Sequence, residues 1–200
     1  MHVQNSLADN VEVNYKALYG LDRSLNVDII RDLNELVLLN GFIAPKNSRI
    51  LYSLCFKASF YGEDEKVFRE RCTGVSPLII LIETTDGYRF GGYTSLHFET
   101  VAMNKVREDP NAFLFSFDTM KKYSVEQPEK AVMDIEGLFP IFGNNDFYIG
   151  KDFLSGLNCK TEFPSAFKKD VENLGDYVLN GGMQKFQVKE LEVLIPYVIQ

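Results

Sequence analysis

The 200-residue sequence contains no tryptophan and only two histidines, His2 and His97, which are far apart. No Cys/His cluster accompanies either histidine, so a structural zinc site is not expected. The segment GNNDFYIGKDF begins with Asx residues but lacks the ligand spacing and the closing glutamate of an EF-hand. We therefore predict neither a metal nor another cofactor.

Cysteine is also scarce. Cys55, Cys72 and Cys159 are odd in number, far apart in the chain and without C-x-x-C spacing. This pattern favours reduced thiols in a cytosolic protein over a disulfide framework. Cys72 lies near Arg69 and Arg71, which would lower the pKa of a thiol, but it lies at the end of a predicted helix whose dipole opposes a thiolate. A buried structural thiol is the default interpretation.

Long apolar runs and basic clusters are missing too. No window approaches the ~18–20 apolar residues of a membrane span, and the N-terminus has no basic cluster followed by an apolar core, so no signal peptide is expected. The net charge of −7 and the scattered basic residues argue against nucleic-acid binding. We expect a cytoplasmic protein of one domain that does not insert into membranes.

The N-terminal half carries two helical patterns. Residues 1–26 are polar and weakly patterned and are interpreted as a flexible or loosely docked lead-in to a domain of residues 27–200. The segment DIIRDLNELVLLNGF predicts a helix that begins at Asp28 and is closed by Asn40 and Gly41. A shorter helix is predicted in YGEDEKVFRERCTG, where acids come first, bases last, and Gly74 follows.

Strand patterns dominate the rest of the chain. RILYSLCF places Ile50, Tyr52, Leu54 and Phe56 on one face. LIILIE predicts a strand covered on both faces, AFLFSF has three phenylalanines in phase, and DFYIG is a shorter candidate. In KFQVKELEVLIPYV the apolar phase slips by one residue, which predicts a β-bulge near Lys189 and Glu190. Short strands without βαβ alternation indicate an antiparallel fold.

The glycine-rich segment TTDGYRFGGYTS could be a phosphate loop or a turn. It has neither the G-x-G-x-x-G nor the G-x-x-x-x-G-K-[ST] spacing of nucleotide sites. Asp86-Gly87 between two strand-like runs is typical of a hairpin turn. Gly91-Gly92 then indicates either a bulge or a close approach of another segment. The segment is predicted to turn a sheet.

Catalytic constellations are not evident. Ser95 and His97 are close in sequence, but G-x-S-x-G is absent, and a packed or partly exposed histidine is the simpler interpretation. Glu190 and Glu192 would point the same way in a regular strand, while a bulge between them would change that. They could form an acid–base couple, but a solvated strand face is the more common arrangement.

In chain order, these segments resemble the TLDc domain family. The helix is followed by RILYSLCF, RERCTG, PLIILIETTDGYRFGGYTS, AFLFSF, PIFGNNDFYIGKDF, LNCKTEF and FQVKELEV, which together cover roughly residues 28 to 195. The chain departs from the family pattern at three places. Gly143-Asn144-Asn145 stands where a glycine-rich run is frequent, Leu194 stands where a tryptophan is common, and the link before the last strand is longer.

The resemblance implies a mainly β fold, a two-sheet antiparallel β-sandwich with short flanking helices. It also implies a non-enzymatic interaction domain that binds peripheral-sector subunits of the vacuolar proton-pumping ATPase and supports resistance to oxidative stress. The candidate partner-binding residues are Glu190, Glu192, Asp86 and Ser95. The motif positions interpreted as structural are Gly87, Gly91, Thr94, Phe115, Ser116, Gly143 and Cys159.

Three alternatives stay open at this point. One is a thiol-based redox protein that uses Cys72 or Cys159, which would need an exposed thiol of low pKa. Another is a sandwich that binds a carbohydrate or other small ligand in a tyrosine-rich loop cleft, although no tryptophan platform is available. The third is a β-sandwich that binds a lineage-specific protein partner.

Overall fold

A six-stranded antiparallel sheet is the central element of the computed structural model, which describes residues 26–44, 48–168 and 177–199. Nearly all of the predicted lead-in therefore lies outside the described residues. The strand order of this main sheet is β1-β11-β2-β3-β5-β6. Its strands are β1 (Arg49–Lys57), β2 (Leu78–Thr84), β3 (Arg89–Thr94), β5 (Phe113–Ser116), β6 (Lys121–Ser124) and β11 (Val188–Ile199).

Within the described residues, two small sheets and several short helices accompany the main sheet. One small sheet has the order β4-β7-β8 and the other pairs β9 with β10. Their strands are β4 (Lys105–Arg107), β7 (Val132–Asp134), β8 (Ile141–Phe142), β9 (Cys159–Lys160) and β10 (Lys185–Phe186). The α-helices are α1 (Leu33–Ile43), α2 (Ala58–Tyr61) and α3 (Glu65–Cys72), and 3₁₀ turns span Pro128–Lys130 and Val178–Asn180. The prediction of a mainly antiparallel β-sandwich with short flanking helices is confirmed.

The main sheet separates two apolar cores. On one face, Leu78, Ile80 and Ile82 of β2 belong to the larger core, together with side chains of α3 and of the small sheets. On the other face, Ile79 and Leu81 pack with Phe113, Phe115 and Phe117 beneath α1. Because β2 is buried on both faces, its sequence is the continuous apolar run LIILIE, as predicted. We call the second core the lid core.

The helix α1 covers the lid core and begins later than predicted. Its N-cap is Asp32, whose carboxylate accepts a hydrogen bond from the Glu35 N–H at 3.0 Å. The predicted start at Asp28 is wrong because residues 26–32 form a non-helical strap, whose amides at Asp28 and Ile29 bond to Glu192 of the sheet. The predicted end at Asn40-Gly41 is also wrong, since Gly41 lies within the helix and the Ala44 N–H bonds to the Asn40 carbonyl.

The helix α3 matches its prediction more closely. Asp64 is its N-cap and accepts from the Lys66 N–H at 2.9 Å, and Arg69 and Arg71 lie in its last turn. Gly74, with φ +66°, follows the helix end. None of the described helices is long and apolar enough to cross a membrane.

Two β-bulges decide which side chains face each core. In β11, the register with β2 shifts between Val188 and Glu190, which confirms the predicted bulge. In β1, the register with β11 shifts between Leu54 and Phe56, so Cys55 is an extra residue. The prediction that Phe56 shares a face with Ile50 is therefore wrong, because Phe56 lies in the larger core and Ile50 in the lid core.

The glycine-rich segment forms the predicted hairpin. Gly87 has φ +91° in the turn, and β2 pairs with β3 without a register shift. Gly91 and Gly92 are therefore sites of close approach rather than a bulge. A side chain at Gly91 would collide with the Ile80 carbonyl oxygen, and one at Gly92 would lie 2.6 Å from the Phe142 ring. The candidate strand DFYIG makes only isolated bridges, at Phe147 and Tyr148.

The cysteine prediction is corrected. Cys55 and Cys72 form a disulfide, with their Cα atoms 5.5 Å apart, so these two thiols are not reduced. The bulge of β1 and the last residue of α3 meet in space, although Cys55 and Cys72 have a sequence separation of 17. Cys159 has a free and buried thiol.

Candidate functional site

A buried ion pair anchors the strap (residues 26–32) to the main sheet. The Lys57 ammonium lies 3.0 Å from the Glu192 carboxylate, and the two side chains are 1% and 0% exposed. Glu192 also accepts hydrogen bonds from the backbone N–H groups of Asp28 and Ile29, at 2.8 and 3.2 Å. Lys57 donates to the Asn26 carbonyl at 2.7 Å and pairs with the Asp28 carboxylate. Both members of the pair therefore hold the same short segment.

Three further ion pairs lie along the same end of the sheet. Glu83 pairs with Arg31 of the strap at 3.0 Å and with Lys189 at 2.7 Å. Arg89 binds the Glu35 carboxylate through two nitrogens, at 2.7 and 2.5 Å, a bidentate geometry that favours strong pairing. At this end of the sheet, the strap and α1 are held by charged side chains. Further along the sheet, α1 makes apolar contacts instead.

The pKa values of the buried pair reflect its environment. Burial raises the pKa of Glu192, although Lys57 and the two backbone amides oppose this shift. Desolvation works against the charged form of Lys57, but hydrogen bonds and Coulombic attraction from Asp28 and Glu192 outweigh it and raise the pKa of the ammonium. Because each group is occupied by the other and by the strap, the arrangement is suited to holding structure rather than to transferring protons.

Glu190 lies at the β11 bulge and has a different environment from Glu192. Its carboxylate accepts from the backbone N–H groups of Ser59 and Leu191, at 3.1 and 3.0 Å. Glu190 is 8% exposed and Glu192 is fully buried, so neither stands on a solvated strand face. A direct partner contact, as predicted for both, would need rearrangement of the strap at Glu192.

Ser95 belongs to a cradle around a buried aspartate. Asp109 accepts from the Thr94 hydroxyl at 2.7 Å and from the Ser95 N–H and hydroxyl at 2.8 and 2.6 Å. The Asn111 N–H adds a fourth bond at 3.0 Å. The His97 ring instead pairs with Glu99 at 3.4 Å. Thr94 and Ser95 therefore fix the end of β3, and the Ser95 hydroxyl is not directed at His97.

A second buried aspartate explains the motif position Gly143. Asp146 accepts from the Ser165 hydroxyl at 2.9 Å and from the Ala166 and Phe167 amides at 2.7 and 3.3 Å. Gly143 has φ +60°, and a side chain there would collide with the Asp146 carboxylate. Burial raises the pKa of Asp146, while these hydrogen bonds oppose the shift.

The remaining predicted positions divide between core and surface. Phe115 is buried in the lid core, and the buried Ser116 accepts from the Thr119 N–H at 3.2 Å. Cys159 is fully buried, and its burial raises the pKa of the thiol to about 12. Asp86 is exposed at the hairpin tip beside Gly87. Of the four partner-binding candidates, Asp86 is thus the one that is exposed.

Comparison with known proteins assigns the family. The TLDc domain family matches residues 26–194. This chain belongs to the TLDc domain family. The MTOR-associated protein MEAK7 of Mus musculus is 27% identical over 95 residues, which cover 48% of this chain and 20% of that protein. The matched part is therefore about one fifth of that relative's length.

The TLDc match begins at the first residue of the strap and includes both members of the Lys57–Glu192 pair. Sequence reasoning selected Glu192 but missed Lys57, Arg89, Asp109 and Asp146. The sequence feature that could have identified Lys57 is its position as a lysine at the end of a strand that is otherwise largely apolar. Nothing local to Asp109 or Asp146 indicates that loops would bury them.

Two adjoining clefts flank the N-terminal end of α3 in this TLDc domain. They have volumes of about 370 and 460 Å³ and share Glu65, Lys66, Gly137 and Lys151. Val101 forms part of the second cleft and is 74% exposed. In the described part of the chain, no group of three or more His, Cys, Asp and Glu side chains is placed to hold a metal ion.

Proposed function

We propose that this TLDc domain is a non-enzymatic interaction module of the cytoplasm. Its partner is the peripheral, ATP-hydrolysing sector of the vacuolar proton pump, and binding supports resistance to oxidative stress. Family membership supports an interaction role. The name of the mouse relative describes that protein as associated with MTOR, which also points to protein binding within the family.

The observation that carries this proposal is that three buried acidic side chains bind groups of their own chain. Glu192, Asp109 and Asp146 each accept three or more hydrogen bonds or ion pairs from their own chain. Buried groups that are satisfied in this way rigidify a scaffold. These buried groups therefore stabilise a rigid framework, and the surface loops on it act as contact points.

The exposed hairpin tip and the loop around Val101 are the surfaces that this proposal uses. Asp86 offers a charge at the tip, and Val101 and Met103 offer exposed apolar side chains. A function that needs an exposed free thiol of low pKa at Cys72 or Cys159 has less support, because Cys72 is in a disulfide and burial raises the pKa of Cys159 to about 12.

The proposal is tested by titrating the purified chain into the isolated peripheral sector of a vacuolar ATPase. Co-migration on a sizing column and the rate of ATP hydrolysis are followed together. We expect co-migration and a changed hydrolysis rate. Absence of association at tens of micromolar, with a pump sector shown to be intact, would reject this partner.

A charge-reversal pair then locates the contact. Asp86→Lys is expected to weaken co-migration, whereas Glu129→Lys makes the same charge change on an exposed 3₁₀ turn and serves as the matched control. Equal binding by both variants would exclude the hairpin tip as the contact, and the Val101 loop would be examined next with Val101→Ser.

A further inference from the structure

The disulfide joins the β1 bulge to the end of α3. Cys55 is the extra residue of the bulge, and Cys72 is the last residue of the helix. A hydrogen bond of 2.9 Å from the Arg71 side chain to the Cys55 carbonyl makes a second link between the same two places. The Arg71 guanidinium also lies over the Tyr61 ring, 3.9 Å from its centre. The bulge is therefore fixed from the helix side.

This bulge determines where Lys57 points. Leu54 is opposite Leu194, Phe56 is opposite Val193, and Lys57 is consequently opposite Glu192. Side chains alternate between faces along a strand, so a β1 without the extra residue would place Lys57 on the other face. The pairing of Lys57 with Glu192 thus depends on the bulge at Cys55.

Lys57 and Glu192 in turn hold the strap. They bind the Asn26 carbonyl and the Asp28 and Ile29 amides, and Lys57 also pairs with the Asp28 side chain. A continuous chain of contacts therefore runs from the disulfide through the bulge and Lys57 to the strap.

We propose that the Cys55–Cys72 disulfide is a redox-controlled lock on the strap. A cellular dithiol reduces it. One thiolate of the dithiol attacks the sulfur of Cys55, which is 6% exposed whereas Cys72 is 0% exposed, to give a mixed disulfide and release the Cys72 thiolate. The second thiolate of the dithiol then displaces the Cys55 sulfur. Two electrons and two protons convert the pair to two thiols, and the dithiol becomes a disulfide. The bulge then loosens, Lys57 loses its fixed position, and the strap opens.

The cytoplasmic location proposed above is consistent with a disulfide that is reduced and reoxidised. In the cytoplasm, where we propose that the domain acts, disulfides are usually transient and redox-sensing. The experiment below uses the purified chain without a partner, so its failure would leave the pump-binding proposal untouched.

The test compares amide hydrogen exchange in the oxidised and dithiol-reduced chain by NMR. The Asp28 and Ile29 amides, which donate to Glu192, are expected to exchange at least about tenfold faster after reduction. The Ala166 amide is the matched control, because it also donates to a buried carboxylate, that of Asp146, which takes no part in the contacts of the strap. Its exchange is expected to stay unchanged.

Two variants complete the test. Cys55→Ala/Cys72→Ala is expected to show the fast exchange without added dithiol and no further response to it, while Cys159→Ala keeps the wild-type response. If the double variant does not fold, the comparison of the oxidised and the reduced wild-type chain still tests the proposal. Unchanged exchange at Asp28 and Ile29, when mass spectrometry shows complete reduction, would overturn the proposal. Failure of the pair to oxidise in air would overturn it as well.

Discussion

Lys57 and Glu192 show how a single residue gains its role from distant parts of the chain. Removing two charges from water is costly, and their attraction compensates only when further hydrogen bonds satisfy the remaining polar atoms. Here the strap supplies those bonds through Asn26, Asp28 and Ile29. The pair therefore contributes to the placement of the strap more than to net stability.

We predict that breaking the pair on one side is strongly destabilising. Lys57→Met leaves Glu192 buried without its counter-ion and is expected to lower the free energy of unfolding by about 3–5 kcal/mol. Lys57→Met/Glu192→Leu removes both charges and should cost less than the two single changes together. Urea unfolding followed by circular dichroism measures these differences.

The matched control for this series is Asp86→Asn, an exposed acid at the hairpin tip. It is expected to change the free energy of unfolding by no more than about 0.5 kcal/mol. If Lys57→Met lowered the free energy of unfolding by no more than this control, the Lys57–Glu192 pair would be solvated.

We predict that Cys159 makes stability fall at alkaline pH. Burial raises the pKa of its thiol from 9.0 to about 12. The unfolded chain thus releases this proton more readily, and the stabilisation that is complete below about pH 9 is lost as the pH rises towards 12. The wild type should lose up to about 1.4 kcal/mol per pH unit relative to Cys159→Ser.

The pH series needs unfolding curves of both proteins at several pH values in this window, since tyrosine and lysine residues titrate there in both. Parallel pH dependences of the two proteins would show that the thiol ionises in place. Native Cys159 should likewise resist alkylation at pH 8 and react once the chain is unfolded.

Sequence patterns could select Glu190 and Glu192 but not their surroundings. An alternating strand predicts only the face of a side chain, and the partner that buries Glu192 lies in a strand from the other end of the chain. Ser95 illustrates the same limit, because its partner Asp109 comes from a loop without a recognisable pattern.

At the scale of secondary-structure elements, two glycines have different roles. Sheet packing requires a glycine at Gly91, whereas at Gly41 only helix propensity is at issue. Gly91 faces the Ile80 carbonyl and lies close to the Phe115 ring, so the neighbouring strands leave no room for a side chain. Gly41, within α1, has nothing within 4 Å of the position that a Cβ atom would take.

We predict opposite effects of alanine at these two glycines. Gly91→Ala is expected to destabilise the fold by about 1–3 kcal/mol or more, because backbone atoms must move. Gly41→Ala is expected to add about 0.5–1 kcal/mol, since alanine restricts the unfolded chain and suits a helix. Thermal and urea unfolding of the two variants measure both effects, and a neutral Gly91→Ala would contradict the close approach.

Element prediction succeeded where one physical signal dominated. Asp86-Gly87 predicts a turn, and the phase slip in KELEV predicts a bulge. Both features are present. It failed at α1 because the strap is apolar at Ile29 and Ile30 like a helix face, yet its amides bond to Glu192. It failed in β1 because the bulge at Cys55 does not disturb the visible alternation of RILYSLCF.

For the whole molecule, the main sheet couples the two cores. Neighbouring residues of β2 point alternately into the larger core and the lid core. Loss of either core therefore exposes the other side of the same strands. The pattern of LIILIE made this two-sided burial predictable, but it did not indicate which elements cover each face.

We predict that the described cores unfold in one cooperative step. Far-ultraviolet circular dichroism reports the sheet, and near-ultraviolet circular dichroism reports tyrosines such as Tyr123 in the larger core and Tyr52 in the lid core. The two signals should give the same urea midpoint with the disulfide intact. Separate midpoints would show that the lid core melts independently.

The bulges in β1 and β11 also affect how this chain should be aligned with its relatives. Insertion or removal of one residue inside a strand reverses the face of every residue beyond it, unless the extra residue is accommodated as a bulge. Residues 55 and 189 are places where a one-residue length difference leaves the flanking pattern intact. A relative with a regular first strand should therefore align with a gap at residue 55, and its equivalent of Lys57 should be sought one position earlier.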